Sequence, residues 1–116
     1  MIDFSDVRIF MCTTPTSMSY SFDRLMRRAQ EVFDQDPTSG HLFLFLNRRR
    51  DRIKILFWDR DGFCIWYKRL ERGVFQLLTT AGDEEGIELD YPQLVKLLGG
   101  PDLRTGRRRR RYRRSG

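Results

Sequence analysis

The sequence contains few of the residues on which most small enzymes and metalloproteins rely. Its 116 residues include two cysteines, Cys12 and Cys64, and a single histidine, His41. Neither cysteine has a neighbouring Cys or His at metal-ligand spacing, so we expect two buried thiols. His41 has no evident partner for a catalytic triad, and we expect it to hydrogen-bond turn backbone. The sequence therefore predicts no catalytic residue, no metal ligand and no cofactor.

Long apolar runs are also missing. A membrane-spanning helix needs about 18 or more consecutive apolar residues, and no run approaches that length. The N-terminus lacks a basic start followed by a long apolar stretch, so no secretory signal is evident. We therefore expect a cytoplasmic protein with no membrane contact. At this length, one domain could bury roughly two-thirds of its unfolded surface.

Positive charge is concentrated at the C-terminus. The chain has 22 Lys and Arg against 16 Asp and Glu, a formal net charge of +6, and seven of the eight residues 107–114 are arginine. Without those seven, the balance is 15 against 16, or −1. Such a tract repels itself and has little to bury, so residues 104–116 are predicted to form a disordered basic tail behind a domain of residues 1–103. Its density of guanidinium groups suits a polyanion, and a solubilising tail is the alternative.

Three apolar runs in the centre of the chain predict three consecutive antiparallel strands. They cover residues 41–46, 53–58 and 63–70, and charged turns containing Asp and Gly separate them. Alternation places Ile53 and Ile55 on one face and Leu56 and Trp58 on the other, so both faces are substantially apolar. The face that the helices leave open would pack on the first strand, pack on a second protomer in a homo-oligomer, or present aromatic residues to a partner.

The flanking segments complete an α+β pattern. Residues 6–13 and 75–78 read as strands, and residues 79–86 read as a polar turn. Residues 21–33 have the spacing of an amphipathic helix, and a second helix begins at Asp90 as N-cap and ends at Gly99. The predicted fold is a single α+β domain, with an antiparallel meander sheet of about four to five strands and two helices packed on one face.

A second positive element is the loop between the first two central strands. Four arginines surround Asp51 there, so most of them must face water or an anion. A solubilising turn that protects the sheet edge is the alternative. The predicted nucleic-acid contacts are Arg48, Arg49, Arg50, Arg52, Lys54, Lys68, Arg69, Arg107, Arg108, Arg109, Arg110, Arg111, Arg113 and Arg114. The predicted interaction aromatics are Trp58, Trp66 and Tyr67, with packing in the core as the alternative.

The central block resembles the TnpB accessory protein family, which is encoded by the second reading frame of insertion-sequence-66-type bacterial transposons. The matching positions are Asp36, Pro37, Ser39, Gly40, His41, Leu42, Phe43, Phe45, Arg48, Arg49, Asp51, Ile53, Lys54, Leu56, Trp58, Asp59, Gly62, Cys64, Lys68, Arg69, Leu70, Glu71, Gly73 and Phe75. The chain departs from the family at Ser19-Tyr20, where a basic pair is common, and at Gln76-Leu77-Leu78, where a tryptophan is usual.

The resemblance implies a non-catalytic helper that accompanies a separate transposase. We therefore expect an accessory protein of bacterial DNA transposition that binds DNA, the transposase, or both. One alternative is an assembly subunit that docks its sheet face on a partner protein without specific DNA binding. Another is a metal-dependent nuclease built from Asp51, Asp59, Asp61 and Glu71. That site is disfavoured because Asp51 and Asp59 are predicted at opposite ends of one strand, roughly 20 Å apart.

Overall fold

A five-stranded sheet forms the centre of the computed structural model, which describes residues 6–76 and 84–99. The elements in chain order are β1 (Ile9–Cys12), α1 (Phe22–Phe33), a 3-10 turn (Pro37–Ser39), β2 (Leu42–Leu46), β3 (Arg52–Asp59), β4 (Gly62–Arg69), β5 (Gly86–Leu89) and α2 (Tyr91–Leu98). The predicted α+β class is confirmed. The basic tail lies outside the described residues.

The sheet is mixed, with strand order β4-β3-β2-β1-β5. The prediction of an antiparallel meander is right for β2, β3 and β4 but wrong for β1, which runs parallel to β2 with Ile9 opposite Leu42. The two strands can run parallel because α1, which lies between them in the chain, carries the backbone back across the sheet before β2 begins. β5 then returns antiparallel to β1, with Ile9 opposite Leu89.

The two helices cover opposite faces of the sheet, so the prediction that both pack on one face is wrong. On β1, Phe10 faces the α1 side and Met11 faces the α2 side. The α1-side core comprises Phe10, Cys12, Leu25, Ala29, Phe43, Phe45 and Leu56. The α2-side core comprises Ile9, Met11, Leu42, Leu44, Leu46, Ile53, Ile55, Leu70, Phe75, Leu89, Leu94 and Leu97. Two apolar faces each need a cover, and each helix supplies one.

The first helix forms where its apolar spacing predicts it. Leu25 and Ala29 lie one turn apart and are fully buried against the sheet. The helix ends at Asp34, which adopts a left-handed conformation at φ 51° and donates its backbone N–H to Gln30 O at 3.0 Å. A left-handed residue at this position is a usual helix stop.

The second helix begins with the cap that the sequence predicts. The Asp90 carboxylate accepts a hydrogen bond from Gln93 N at 2.8 Å, and Gln93 Oε1 accepts one from Asp90 N at 2.8 Å. This reciprocal pair satisfies two backbone donors that the first turn otherwise leaves free. Leu94 and Leu97 then project into the α2-side core, and Gly99 follows the last helical residue.

The fifth strand was missed by the sequence analysis, which assigned a strand to residues 75–78 and a turn to residues 79–86. Phe75 lies in irregular backbone, where its N–H donates to Arg50 O at 2.7 Å and its ring is fully buried. Residues 77–83 lie outside the described residues. Gly86 opens β5, and a Cβ there would lie 2.7 Å from the Phe33 ring, so only glycine lets this strand approach α1.

Candidate nucleic-acid interface

The hairpin tip, defined as residues 47–52, connects β2 to β3 and is organised by one asparagine. The Asn47 side chain accepts a hydrogen bond from Arg52 N at 3.0 Å and donates one to Asp51 Oδ1 at 2.7 Å. Arg50 N donates to Asn47 O at 3.1 Å. Side-chain bonds of this kind to nearby backbone are how asparagine fixes tight turns. This role of Asn47 was not predicted from the sequence, although an asparagine directly after an apolar strand is a turn signal.

Three consecutive arginines project from this tip into solvent. Arg48, Arg49 and Arg50 are all exposed. Across the part of the chain that the structure describes, the ion pairs involve Arg8, Arg28 and Arg69, and none involves these three. Within the described fold, none of the three is therefore held in an ion pair with a carboxylate. Guanidinium groups in this state can each form paired hydrogen bonds with a phosphate.

The carboxylate in the tip stays ionised. The hydrogen bond from Asn47 and the nearby charges of Arg49 and Arg52 hold the pKa of Asp51 below its usual range. Asp51 also orders the backbone, since its carbonyl accepts from Leu70 N at 2.7 Å. Asp51 directly precedes β3, and Asp59 is the last residue of that strand. The two carboxylates therefore lie at opposite ends of β3.

An open groove of about 550 Å³ runs between the tip and the loop that joins β1 to α1. It exists because β1 and β2 are parallel, so that the segments following the two strands leave the sheet at the same end. Thr16 N donates to Leu46 O at 2.8 Å and holds the loop beside the end of β2. The groove is lined by Pro15, Thr16, Ser17, Met18, Asn47, Arg48, Arg49, Asp51 and Arg52. Its charged side chains are three arginines and one aspartate, so its formal charge is positive.

Arg28 of α1 fixes the far wall of this groove. Its Nε donates to Thr16 Oγ1 at 2.8 Å, and its Nη2 donates to Thr14 Oγ1 at 2.7 Å. A looser ion pair to Glu85, at 3.7 Å, ties the same guanidinium to the start of β5. Arg28 is therefore a positioning residue. Neither Arg28 nor the loop between β1 and α1 was predicted from the sequence to be part of this site, because both reach the tip only through the parallel pairing of β1 and β2.

The basic residues on β3 and β4 have different environments. Lys54 is buried, and its Nζ donates to Met18 O at 2.8 Å and to Tyr20 O at 2.7 Å. Arg52 Nη1 donates to Tyr67 Oη at 3.2 Å, and Arg69 pairs with Glu71 at 2.9 Å. The Lys54 ammonium thus serves the fold, whereas Arg52 and Arg69 lie opposite each other next to the tip.

The three predicted interaction aromatics do not form one surface. Tyr67 lies on the α1 face beside the tip, and Trp66 lies on the opposite face. Trp58 is half-buried at the far end of β3, where its ring meets Phe63 edge-on at 5.0 Å. The far end of β3 is about 20 Å from the tip at ~3.3 Å per residue. Tyr67 is hydrogen-bonded to the tip, since its hydroxyl accepts from Arg52.

Comparison with known proteins identifies the family. The family model for the IS66 Orf2-like protein, TnpB_IS66, matches residues 7–108. The chain belongs to the IS66 Orf2-like family. The match covers every described helix and strand and ends inside the arginine tract. The chain is accordingly a transposon-associated accessory protein, and the resemblance noted in its central block is confirmed.

Two relatives of this IS66 Orf2-like chain occur in Sinorhizobium fredii (strain NBRC 101917 / NGR234). The uncharacterized protein y4hO is 36% identical over 99 residues, which cover 85% of this chain and 84% of the relative. The uncharacterized protein y4jC is 30% identical over 69 residues, which cover 60% and 59%. No solved structure matches the chain. Within the residues that the structure describes, no helix is long and apolar enough to cross a membrane.

Proposed function

We propose that the chain assists bacterial DNA transposition as a non-catalytic protein that binds the phosphate backbone of duplex DNA. The observation that carries this proposal is the hairpin tip, where Arg48, Arg49 and Arg50 are exposed beside a positively charged groove and have no ion-pair partner in the described fold. Contacts of this kind give affinity and orientation but read no sequence. The tail supplies seven more arginines.

The backbone at Arg50 carries local strain. Its φ is 61°, in the left-handed region where a non-glycine residue costs roughly 1–2 kcal/mol. Arg60, in the turn at the other end of β3, has the same φ and is also exposed. The two arginines therefore differ in position and not in strain, so Arg60 is a matched control for the role of Arg50.

The groove wall supports the proposal in a second way. The exposed Ser17 lines the groove opposite Arg48 and Arg49, whereas Thr16 is buried and its hydroxyl accepts from Arg28. Hydroxyl groups and guanidinium groups are the usual donors to DNA phosphates. Arg28 holds this wall in place through two hydrogen bonds of 2.7–2.8 Å.

The test compares two variants that remove equal charge from different places. Arg48→Ala/Arg49→Ala removes two tip arginines, and Arg27→Ala/Arg60→Ala removes two exposed arginines from α1 and the β3–β4 turn. DNA affinity is measured by fluorescence anisotropy on transposon-end and scrambled duplexes. We expect the tip variant to lose about tenfold in affinity and the control about twofold or less, because, of these two pairs of arginines, only the tip pair neutralises phosphates.

Two results would count against the proposal. Equal losses in both variants would mean that net charge alone drives binding, and no loss in either would leave the tip as a solubilising turn. Circular dichroism checks the fold, since exposed turn substitutions shift stability by no more than about 0.5 kcal/mol. Metal-dependent nicking of supercoiled DNA by the purified chain, abolished by Asp59→Ala, would contradict the non-catalytic part.

A further inference from the structure

The outer edge of β4 is the longest open edge in the described structure. β4 is the terminal strand of the sheet, spans eight residues and contains no proline. On the side away from β3, no described strand pairs with it. Such an edge presents a row of backbone N–H and C=O groups to any chain that can pair with it. By contrast, β5 at the other edge has four residues.

The side chains along this edge favour a partner strand. Trp66 and Tyr67 are neighbours on opposite faces and remain 42% and 47% exposed, although both are large aromatics. Aromatic residues on an edge gain cross-strand contacts when another strand is added. The two ends of the strand also carry opposite charges, with Asp61 exposed just before β4 and Arg69 exposed at its end.

We propose that β4 pairs antiparallel with β4 of a second copy of this chain, around a two-fold axis at Ile65. In that register, Asp61 lies opposite Arg69 of the second copy, and the two-fold axis repeats the pair at the other end. Arg69 uses its Nε for Glu71, which leaves both Nη groups for the new carboxylate. Phe63 lies opposite Tyr67, and Cys64 lies opposite Trp66. The two five-stranded sheets join into one.

The charges at the two ends of β4 favour a second copy of this chain as the partner, and they also favour one register. A strand with a negative residue at its start and a positive residue at its end is complementary to its own reverse. Two residues directly opposite each other in an antiparallel pair point to the same face of the sheet. Alternative registers must therefore keep the odd-numbered residues of one copy opposite the odd-numbered residues of the other. The neighbouring register centred on Trp66 would place Arg69 opposite Phe63, and the one centred on Cys64 would place Asp61 opposite Tyr67. Each of them breaks both ion pairs. The register centred on Ile65 therefore fits best.

The dimer would also give the proposed DNA contacts a spacing, and this consequence rests on the proposed function. Arg52, in the hairpin tip, lies directly opposite Arg69 in the β3–β4 register. Arg69 is four residues from Ile65, so each tip begins four residues from the two-fold axis along the strand direction. At ~3.3 Å per residue and ~4.8 Å between strands, the two Arg52 Cα atoms would lie about 30 Å apart. One turn of duplex DNA measures about 34 Å, so two tips could reach phosphates on one duplex.

The first test measures mass and needs no DNA, so it is independent of the proposed function. Sedimentation equilibrium of the full chain is expected to show a concentration-dependent dimer. Asp61→Arg or Arg69→Asp alone places like charges opposite each other twice, and each should weaken dimerisation about tenfold. The double variant Asp61→Arg/Arg69→Asp exchanges the charges and should restore the dimer. A chain that is monomeric throughout, or a double variant no better than the single ones, would overturn the proposal.

A second test fixes the register. Trp66→Cys places a thiol opposite Cys64 of the second copy, where the Cα separation of an antiparallel pair suits a disulfide. Mild oxidation should then yield a covalent dimer on a non-reducing gel, and the control Trp66→Cys/Cys64→Ser should not. Equal cross-linking in both variants would reject the register. If the charge variants leave the mass unchanged and lower DNA affinity instead, the edge is a nucleic-acid contact and the dimer is wrong.

Discussion

The Lys54 ammonium lies 4.9 Å from the centroid of the Tyr67 ring, and the two residues are direct neighbours across β3 and β4. The same ammonium donates to Met18 O and Tyr20 O, which lie in the segment leading into α1. One buried cation therefore joins the edge strand pair to the entry of the first helix. A ring face stabilises a cation in this position, particularly where water is excluded.

Lys54→Met is expected to destabilise the fold without reducing DNA affinity of the folded protein. The substitution leaves two carbonyls without their charged donor, which costs about 2–3 kcal/mol in the free energy of unfolding. Urea denaturation measures the loss. The control is Lys68→Met, which removes a half-exposed lysine on the opposite face and should cost about 0.5 kcal/mol or less. Lost DNA affinity in folded Lys54→Met protein would instead make Lys54 a binding residue.

Arg50→Gly and Arg60→Gly should have the same effect on stability and different effects on binding. Both arginines have φ 61°, so glycine relieves strain and should raise the free energy of unfolding by about 0.5–1 kcal/mol. Arg50 lies in the tip and Arg60 in the turn at the other end of β3. Thermal denaturation and anisotropy are measured on both. We expect Arg50→Gly alone to lose about fivefold in DNA affinity; equal affinities would remove Arg50 from the interface.

Removal of residues 106–116 should abolish most of the salt dependence of DNA binding. The formal net charge falls from +6 to −1. For duplex DNA, the slope of log K against log[salt] is about −0.9 per phosphate neutralised, so seven arginines set a limit near −6 and we expect the tail to contribute about −3 to −5. Random and transposon-end duplexes should weaken alike, since phosphate contacts read no sequence. An unchanged slope would assign the affinity to the hairpin tip.

Stability should fall as the pH is lowered from about 6.5, because of His41. Partial burial and the Arg8 charge lower the pKa of His41, and the smaller effect of the Glu88 charge opposes them. Its Nδ1 accepts a hydrogen bond from Arg8 N at 3.0 Å, which protonation would break. The unfolded chain therefore binds a proton more readily, and stability is complete above the unfolded pKa and lost below it.

The variant His41→Asn should flatten this pH dependence. Its side-chain oxygen can still accept from Arg8 N but does not titrate. Urea denaturation between pH 7 and about pH 5 measures the change, above the range in which the carboxylates of Asp36, Asp51 and Glu88 titrate. An identical pH profile in the variant would assign the effect to other groups.

The local elements followed from the sequence, and the long-range arrangement did not. Alternation on β3 and β4 and the N-cap at Asp90 are short-range signals, and both are confirmed. The parallel pairing of β1 with β2 depends on the path of α1 over the sheet, which no local pattern encodes. The sequence did contain a signal for helices on both faces, since all five residues of Leu42–Leu46 are apolar and buried. A strand without polar alternation is typical of a sheet covered on both sides.

The sequence likewise indicated only the local part of the candidate site. The arginines of the tip were visible as a charged loop between strands, and the structure places them at the exposed end of a hairpin. The opposing wall, made by Thr16 and held by Arg28, was invisible because it joins the tip only in three dimensions. The burial of Lys54 was also hidden, because a lysine in an alternating strand gives no sign of which carbonyls it will meet.

The position of β1 between β2 and β5 has a consequence for how the chain is made. Arg8, next to β1, pairs with Glu88 in β5 across 80 positions of sequence. Contacts so far apart are slow to form, because a long loop must close before they contribute. During synthesis, β1 leaves the ribosome early and must wait for nearly the whole chain before its second neighbour exists. A chain that stops before Gly86 would expose one side of β1, so incomplete products should aggregate or be degraded.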